Sequence, residues 1–381
     1  MTKVRIGLTG GGSGGHIYPL LAVVEAIRAK NQAVGEINFH YFGPRNNFDF
    51  VLGESLIAFH LVYAGKIRRY LSGLWNNLLD LPLVVFGFVQ ALVKLYWVMP
   101  DVLFSKGGGG SLPVVLAAWF YHIPIVIHDS DAVPGLNNLL VSRLAAKICV
   151  SFERALKYFD PRKTTLTGNP IRPSLLAGEL TLQTAKTSFG FNSEKLVLLV
   201  LGASQGSSRL NNLIMLTLPD LLKEAQVLHQ TGRSNFEEVQ KLAKAALTDL
   251  PNRVELKSAY KCVPFFDNNY YAALLAADLI VARAASGTIF EIAAFGKPAI
   301  VVPLTESAND HQRANAYEFA KSGAAVVIEE TNLLPGIFLS QVKSILNNKL
   351  PMDRMSSASS GFFKPQAAAD VANVVLGLLP T

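Results

Sequence analysis

The chain has 381 residues, half of them hydrophobic, which is enough for two globular domains with a core in each. Its two cysteines, Cys149 and Cys262, exclude a disulfide framework, and the first residues lack the features of a signal peptide, so we expect a globular cytoplasmic protein. The net charge of +7 lies mostly in residues 1–165, which contain 16 basic and 10 acidic side chains. Such a bias fits binding to an anionic membrane or to a phosphorylated substrate. No nucleic-acid-binding motif is present in the sequence.

A glycine-rich turn, GGGSGGH, follows the first predicted strand at residues 4–8 and ends at His16. Its glycines match G-x-G-x-x-G, but the second strand, 37–42, is not followed by the acid that a dinucleotide site requires. The turn places His16 at the carboxyl end of a strand, where open α/β sheets bind ligands. His16 is our candidate general base, because an imidazole with a pKa of about 6.5 can accept a proton at pH 7. The alternative is a histidine that caps its own helix.

Residues 66–99 are the only membrane-like segment of the sequence. Three basic residues, Lys66, Arg68 and Arg69, precede an apolar run at 83–99, which has about the minimum length for a membrane span and contains two polar residues. A transmembrane helix is therefore not expected. The alternatives are a core helix and a surface helix that enters the membrane interface.

A second glycine loop runs from Lys106 to Ser111, between a strand and the helix that the loop opens. The next strand ends in His128, Asp129, Ser130 and Asp131. The pattern Asp-x-Asp matches a metal site of glycosyltransferases with a different fold, so we do not expect a metal here.

The turn-rich stretch 167–173, TGNPIRP, predicts a domain junction, and we place the boundary between residues 166 and 167. A second alternation of strands and helices then begins, with a phosphate-type loop at 202–208, GASQGSS. Later in the chain, Phe265 and Phe266 precede a helix. They are either a shelf on which a base stacks or residues of the core.

The most informative stretch is 282–315, a loop and helix between two apolar runs of strand length. The small residues 284–287 allow backbone amides to approach a ligand, and Thr288 is expected to cap the helix. Such a helix N-terminus suits a diphosphate. Glu291, one turn further, can accept hydrogen bonds from both hydroxyls of a ribose, although an acid is favourable at a helix N-terminus without any ligand.

Five loops, GGGSGGH, KGGGGS, TGNPIRP, GASQGS and RAASGTIFE, occur in this order, followed by G-K-P and N-D-H-Q-x-x-N-A. Over essentially the whole chain they resemble the peptidoglycan glycosyltransferases of family 28. The resemblance implies an α/β protein of the GT-B fold, with two Rossmann-like domains that face a cleft. Residues 1–166 would bind the acceptor and the membrane, completed by a C-terminal helix at 365–381, and residues 167–364 would bind the UDP-sugar.

The resemblance also implies site residues. In the donor site, Glu291 binds the uridine ribose, Gln312 binds the sugar hydroxyls, and backbone groups near Phe265 bind the uracil. The expected donor-binding residues are Ser13, Gly14, Gly15, Arg172, Ser204, Gln205, Gly206, Phe265, Phe266, Ser286, Gly287, Thr288, Glu291, Gln312 and Asn315. The expected acceptor-binding residues are Gly12, Gly108, Gly109, Ser111, Asp131 and Asn137. The chain departs from the family's H-E-Q-N at 128–131 and from its aromatic residue at Gly109, and both departures concern the acceptor.

The predicted function is therefore an inverting transfer of N-acetylglucosamine from UDP-GlcNAc to a lipid-linked muramyl pyrophosphate acceptor, with His16 as the base. We expect no cofactor and no metal, and a location on the anionic cytoplasmic face of the plasma membrane. Two alternatives remain. A UDP-GlcNAc 2-epimerase would need acids and bases around C2 and C3 of the sugar, and a non-catalytic UDP-sugar sensor would not need His16.

Overall fold

The structure is a computed structural model that describes residues 4–30, 36–45, 49–65, 74–202, 206–248 and 253–380. The chain divides into two compact units. Unit 1 comprises Met1–Pro173 and Lys364–Thr381, and unit 2 comprises Ser174–Phe363. The sequence predicts a boundary before the TGNPIRP stretch, but this stretch lies in unit 1. There the backbone amides of Thr167 and Gly168 donate to the carbonyl oxygen of Val150 at 3.0 and 3.3 Å.

Unit 1 alternates strands and helices along most of its length. Its elements are β1 (Val4–Thr9), α1 (Gly14–Lys30), β2 (Ile37–Gly43), α2 (Asp49–Glu54), β3 (Ala58–Leu61), α3 (Leu74–Val98), β4 (Val102–Ser105), α4 (Leu112–Phe120), β5 (Ile125–Asp129), α5 (Leu136–Val141), β6 (Lys147–Val150) and β7 (Thr164–Leu166).

In the described part of unit 1 these strands form one seven-stranded parallel sheet in the order β3-β2-β1-β4-β5-β6-β7. The sheet has a hydrophobic core on each face. Phe104 of β4 packs with α1 on one face. The preceding residue, Leu103, packs with α3 and α4 on the other face. Strands that are covered on both faces need nearly continuous apolar sequences, which is why these strands were recognisable as short apolar runs.

Unit 2 repeats the alternation. Its elements are α6 (Leu182–Ser188), β8 (Val197–Leu201), α7 (Ser208–Glu224), β9 (Gln226–Gln230), α8 (Phe236–Ala246), α9 (Arg253–Ser258), β10 (Tyr260–Val263), α10 (Tyr270–Ala276), β11 (Leu279–Ala282), α11 (Ser286–Ala294), β12 (Ala299–Val301), α12 (His311–Lys321), β13 (Ala325–Val327), α13 (Pro335–Leu346) and α14 (Lys349–Phe362).

Among the described residues of unit 2, the strands form a six-stranded parallel sheet in the order β10-β9-β8-β11-β12-β13. Alternate residues of β8 again enter two cores: Leu198 and Val200 pack on one face, and Val197, Leu199 and Leu201 pack on the other. Helices therefore cover this sheet on both sides, as in unit 1.

In both sheets the strand order reverses at one point, between β1 and β4 in unit 1 and between β8 and β11 in unit 2. Open α/β sheets bind ligands beyond the carboxyl ends of the strands at such a point. The four loops that follow these strands begin at residues 10, 106, 202 and 283, and they are four of the five loops that carry the family resemblance.

The last helix, α15 (Ala367–Leu376), packs on α1 within unit 1. Val371, Ala372 and Val375 are fully buried in the core on that face of the sheet. The Lys30 ammonium at the end of α1 also donates to Asn373 Oδ1 at 2.5 Å. The C-terminal segment thus completes unit 1 although it follows unit 2 in sequence.

Candidate active site

His16 lies in the first turn of α1, directly after the glycine turn. Its Nδ1 is 2.8 Å from the Ser13 hydroxyl oxygen, and its backbone amide donates to the Ser13 carbonyl oxygen at 2.9 Å. Gly108 of the second glycine loop approaches the other ring nitrogen: a Cβ atom there would lie 2.9 Å from His16 Nε2, and its φ is +84°. Only glycine fits this position without strain, so the two glycine loops meet at the imidazole.

Lys106, which follows β4, brings a buried positive charge to the same site. It is 3% exposed, and its ammonium donates to the hydroxyl of Ser130 after β5. That hydroxyl donates in turn to Asn169 Oδ1 at 3.0 Å, and Asn169 is itself buried. The hydrogen-bonded chain therefore joins the ends of β4 and β5 to the TGNPIRP stretch.

The charges around His16 favour its neutral form. Burial and then the positive charge of Lys106 lower the pKa of His16 to about 4, and the charge of Asp131 opposes them. Burial likewise lowers the pKa of Lys106 to about 8, against the opposing effects of Asp129 and Asp131. His16 is consequently unprotonated at pH 7 and has a ring nitrogen that can accept a proton.

Asp129 holds the turn after β5 together. Its Oδ1 accepts from the backbone amide of Asp131 at 3.0 Å, and its Oδ2 accepts from the amide of Gly135 at 3.1 Å and from Asn138 Nδ2 at 2.9 Å. Burial, followed by the charge of Asp131, raises its pKa. Across the described ranges, no group of three or more His, Cys, Asp or Glu side chains could hold a metal ion.

The predicted acceptor-binding residues gather around the second glycine loop. Ser111 Oγ and Asn137 Nδ2 both donate to the Gly108 carbonyl oxygen, at 2.9 and 2.7 Å. Asn137 is 8% exposed, and its Oδ1 has no hydrogen-bond partner within the described part of the chain, so it could accept from a ligand. Of the remaining predicted acceptor residues, Gly12 is exposed, and Gly109 and Asp131 are half-buried.

Four of the predicted donor-binding residues belong to unit 1. Ser13 and Gly15 are exposed and Gly14 is half-buried, all at the start of α1. The Arg172 guanidinium stacks over the ring of Tyr18 on α1, 4.2 Å from its centroid. The glycine turn and the TGNPIRP stretch are therefore brought together.

In unit 2, the loop after β8 approaches the end of β9 very closely. Gly206 has a φ of +81°, and a Cβ atom there would lie 2.2 Å from the Thr231 carbonyl oxygen, so no side chain fits. The predicted donor-binding residues Ser204 and Gln205 of this loop lie outside the described residues.

Arg283 and Glu330 form a buried ion pair at the carboxyl edge of the second sheet. Arg283 Nη2 is 2.5 Å from Glu330 Oε1, and the two side chains are 7% and 3% exposed. Arg283 also donates to Ser207 Oγ at 2.6 Å, and Glu330 Oε2 accepts from the Thr305 hydroxyl at 2.7 Å. Burial would raise the pKa of Glu330, but hydrogen bonds from Thr305 and Arg283 keep it below its usual value. The pair joins the loops that follow β8, β11, β12 and β13.

Helix α11 begins earlier than predicted. Its N-cap is Ala285, which is extended with φ −68° and ψ 136°, and the helix starts at Ser286. The prediction that Thr288 caps this helix is therefore wrong, because Thr288 lies within the first turn. Ser286 is buried, and Gly287 and Thr288 are half-buried. Their amides lie at the positive end of the helix, where an anion is stabilised.

Glu291 lies one turn into α11 and is half-buried. Its Oε2 accepts a hydrogen bond of 2.8 Å from the hydroxyl of Tyr270, the first residue of α10. Tyr270 is 9% exposed and packs against Phe266, with ring centroids 6.0 Å apart. The carboxylate is therefore oriented by a side chain that the core holds.

Gln312 and Asn315 differ in exposure. Gln312 Oε1 accepts from the backbone amide of Leu304 at 3.0 Å, and its side chain is half-buried. Asn315 is fully buried, and its Nδ2 donates to the Ala284 carbonyl oxygen at 3.2 Å. Asn315 thus supports the loop before α11, whereas Gln312 is more accessible to a ligand.

The two phenylalanines after β10 have different surroundings. Phe266 is 2% exposed and lies in the core, with its ring centroid 6.2 Å from that of Phe189. Of the two alternatives that the sequence leaves open for its side chain, the structure supports packing in the core. Phe265 is half-buried, and the Arg233 guanidinium lies 5.7 Å from its ring centroid. A stacking role is open only to Phe265.

Helix α3 exposes an apolar face although part of it packs on α4. We define the α3–α4 apolar surface by its large hydrophobic residues, each at least 44% exposed: Leu83, Val85, Phe86, Val89, Val93, Tyr96, Trp97, Trp119 and Phe120. Among the described helices, none is long and apolar enough to cross a membrane. Lys66, Arg68 and Arg69, the predicted basic lead-in, lie outside the described residues.

Lys106 and Tyr270, which contact the environment of His16 and Glu291, are among the residues of these sites that were not predicted. Lys106 was recognised only as the first residue of a glycine loop, and a lysine beside four glycines was its only signal. Tyr270 gave no signal, because its partner Glu291 lies 21 residues away on another helix.

Comparison with known proteins identifies two family domains. Residues 6–150 match the glycosyltransferase family 28 N-terminal domain, and residues 197–371 match the glycosyltransferase family 28 C-terminal domain. A protein of Clostridium kluyveri is 33% identical over 377 residues, which cover 98% of each chain. It is named UDP-N-acetylglucosamine–N-acetylmuramyl-(pentapeptide) pyrophosphoryl-undecaprenol N-acetylglucosamine transferase.

Solved structures share the fold along the whole chain. The crystal structure of Acinetobacter baumannii MurG matches with a TM-score of 0.73 and 24% identity, covering 98% of this chain and 99% of its own. A UDP-GlcNAc 2-epimerase from Neisseria meningitidis matches with a TM-score of 0.68 and 14% identity, covering 99% and 100%. These likenesses confirm the predicted fold class of two Rossmann-like domains.

Proposed function

The chain belongs to glycosyltransferase family 28, and we propose that it transfers N-acetylglucosamine from UDP-GlcNAc to the N-acetylmuramyl-(pentapeptide) pyrophosphoryl-undecaprenol lipid, for peptidoglycan synthesis. The observation that carries this proposal is the relatedness to a transferase of that name over 98% of both chains. The enzyme is accordingly a hexosyltransferase.

Unit 2 would hold the donor. The diphosphate of UDP-GlcNAc would meet the amides of Ser286, Gly287 and Thr288, where the helix dipole favours negative charge. Glu291 would accept hydrogen bonds from the ribose hydroxyls, and Gln312 would bind the hydroxyls of the sugar. The Arg283–Glu330 pair would keep the surrounding loops in place without touching the ligand.

Unit 1 would hold the acceptor and supply the base. His16 accepts the proton of the acceptor hydroxyl, whose oxygen attacks C1 of the sugar. The bond from C1 to the diphosphate oxygen breaks, the electron pair leaves with UDP, and the configuration at C1 is inverted. Backbone amides stabilise the departing charge, so the proposal requires no metal or cofactor.

The 2-epimerase alternative shares the fold but has weaker support, because the epimerase structure is only 14% identical to this chain. The two activities differ in their need for an acceptor. We expect UDP release from UDP-GlcNAc only when the lipid acceptor is present. Formation of another UDP-sugar without acceptor would favour the epimerase, and binding of UDP-GlcNAc without UDP release under either condition would favour a sensor.

The donor site can be tested at Glu291. Replacing Glu291 by Ala removes a charge-assisted contact to the ribose and should weaken UDP binding by about 1 to 3 kcal/mol. Isothermal titration calorimetry with UDP measures this change. Glu194→Ala, at an exposed position of the same unit, is the control. Unchanged affinity in a folded Glu291→Ala protein would remove Glu291 from the donor site.

We also propose that the α3–α4 apolar surface docks on an anionic membrane. Its aromatic residues, of which Trp97 is 78% exposed, are types that favour the membrane interface. The excess of basic residues within 1–165 would add electrostatic attraction to anionic lipids. This location suits an acceptor that carries an undecaprenyl chain.

Liposome flotation tests the docking. Replacing Trp97, Trp119 and Phe120 by Ser should reduce flotation with anionic vesicles, and raising the salt concentration should reduce flotation of the unchanged protein. Leu216→Ser is the matched control, because Leu216 is 73% exposed on α7 of unit 2. Equal flotation of the triple variant and the unchanged protein would contradict the proposal.

A further inference from the structure

We infer that Tyr270 is a positioning residue of the donor site, which sets the discrimination of the enzyme for a ribose over a deoxyribose by orienting Glu291. This inference rests on the proposed function, because it takes Glu291 as the ligand of the nucleoside sugar. It concerns a residue outside the loops that carry the family motifs.

The geometry places the phenol in direct contact with the carboxylate. Tyr270 donates its hydroxyl hydrogen to Glu291 Oε2 at 2.8 Å, a normal length for a phenol–carboxylate hydrogen bond. A carboxylate has about four lone-pair sites on its two oxygens, so one bond from a phenol leaves capacity for the two ribose hydroxyls. The phenol can therefore fix the carboxylate and not displace the sugar.

The ring of Tyr270 is more deeply buried than the carboxylate that it contacts. Tyr270 is 9% exposed in the core of unit 2, and its ring lies 6.0 Å from that of Phe266 at an interplanar angle of 30°. Phe266 in turn packs edge-on against Phe189, with centroids 6.2 Å apart. Glu291 is half-buried and, like any glutamate, has rotatable side-chain bonds whose freedom must be lost when it binds a ribose. A fixed donor reduces that loss before the ligand arrives.

The adjacent residue provides a matched control. The Tyr271 hydroxyl also donates a 2.8 Å hydrogen bond, but to the backbone carbonyl oxygen of Gly178. The variants Tyr270→Phe and Tyr271→Phe each remove a hydroxyl and the hydrogen bond of 2.8 Å that it donates, while keeping the ring. They differ in whether that bond ends on Glu291.

The experiment measures the affinities of UDP and 2′-deoxy-UDP by calorimetry for the unchanged protein, both phenylalanine variants, Glu291→Ala and the Tyr270→Phe/Glu291→Ala double variant. We expect Tyr270→Phe to weaken UDP binding by about three- to tenfold and to reduce the preference for UDP over 2′-deoxy-UDP. Tyr271→Phe should change neither by more than about twofold. In the Glu291→Ala background, Tyr270→Phe should have no further effect, because the two residues act as one unit.

Steady-state kinetics add a second readout. With lipid acceptor in excess, Tyr270→Phe should raise KM for UDP-GlcNAc and leave kcat nearly unchanged, since the contact orients a binding group and not the base. If Glu291→Ala loses the ribose preference while Tyr270→Phe keeps that of the unchanged protein, the inference is wrong and the proposed donor site stands. If Glu291→Ala itself keeps the preference, the ribose contact and the inference both fail.

Discussion

Unit 1 and unit 2 share a strand order at their centres, but they carry different kinds of groups at the carboxyl ends of those strands. In unit 1 the loops bring together ionisable groups whose pKa values are displaced, with His16 lowered to about 4 and Lys106 to about 8. In unit 2, Arg283 forms a buried ion pair with Glu330, and Glu291 accepts a hydrogen bond from Tyr270.

This difference indicates a division of tasks. Displaced pKa values at a ligand site are typical of groups that transfer protons, whereas ion-paired and hydrogen-bonded side chains are suited to hold the surroundings of a ligand in one geometry. The comparison supports the proposal that unit 1 supplies the base and that unit 2 binds the nucleotide. Each prediction below tests one side of this assignment.

The largest expected effect concerns the base. His16→Ala should lower kcat by about 10² to 10⁴-fold and leave KM for UDP-GlcNAc nearly unchanged, because His16 is not among the predicted donor-binding residues and most of those belong to unit 2. Because the pKa of His16 is lowered to about 4, protonation should slow the enzyme only as the pH falls towards 4, and the variant should lack this acid limb. Rates across pH 3.5 to 8 measure both effects. Near-normal kcat with an intact acid limb would make His16 structural.

The second prediction concerns the buried ion pair of unit 2. Arg283→Met leaves Glu330 as a buried carboxylate without its main partner and should destabilise unit 2 by about 3 to 5 kcal/mol. The Arg283→Met/Glu330→Leu double variant should be less destabilised, because both charges are removed.

Amide hydrogen exchange tests this prediction, because it reports the protection of each unit separately. Protection should fall in β8 and β11, while β4 and β5 of unit 1 serve as the internal control. In Arg283→Met, the affinity for UDP should fall together with the protection of unit 2. His16→Ala should change neither the affinity for UDP nor the protection of unit 2. Loss of protection in unit 1 as well would contradict the independence of the two sites.

Much of the fold could be predicted because parallel strands covered on both faces have a distinctive sequence. β8 is VLLVL and fully buried, and β5 is IVIHD, so apolar runs between glycine turns identified them directly. The family and the fold class followed from loops that are local in sequence, and both are confirmed.

What could not be predicted depends on contacts between distant residues. Lys106 and His16 are ninety residues apart, and only the pairing of β1 with β4 brings their loops together. Phe266 could not be distinguished from a stacking residue, because burial in the core of unit 2 depends on Phe189 and Tyr270. The start of α11 was misplaced, because a threonine can occupy either the N-cap or the first turn and the sequence does not decide between them.

The smallest expected effect concerns the charge that tunes His16. Burial is the main cause of the low pKa of His16 and the positive charge of Lys106 is the next, so Lys106→Met should raise that pKa. The sign follows because the lost charge disfavoured the imidazolium, and Asp131, which favours it, is then opposed by burial alone. The acid limb of kcat/KM should move to higher pH, by less than about one unit, since burial remains. Lys147→Met, at an exposed position of the same unit, removes an equal charge and should leave the limb in place. A limb that moves equally in both variants would mean that net charge, and not the Lys106 contact, sets the protonation of His16.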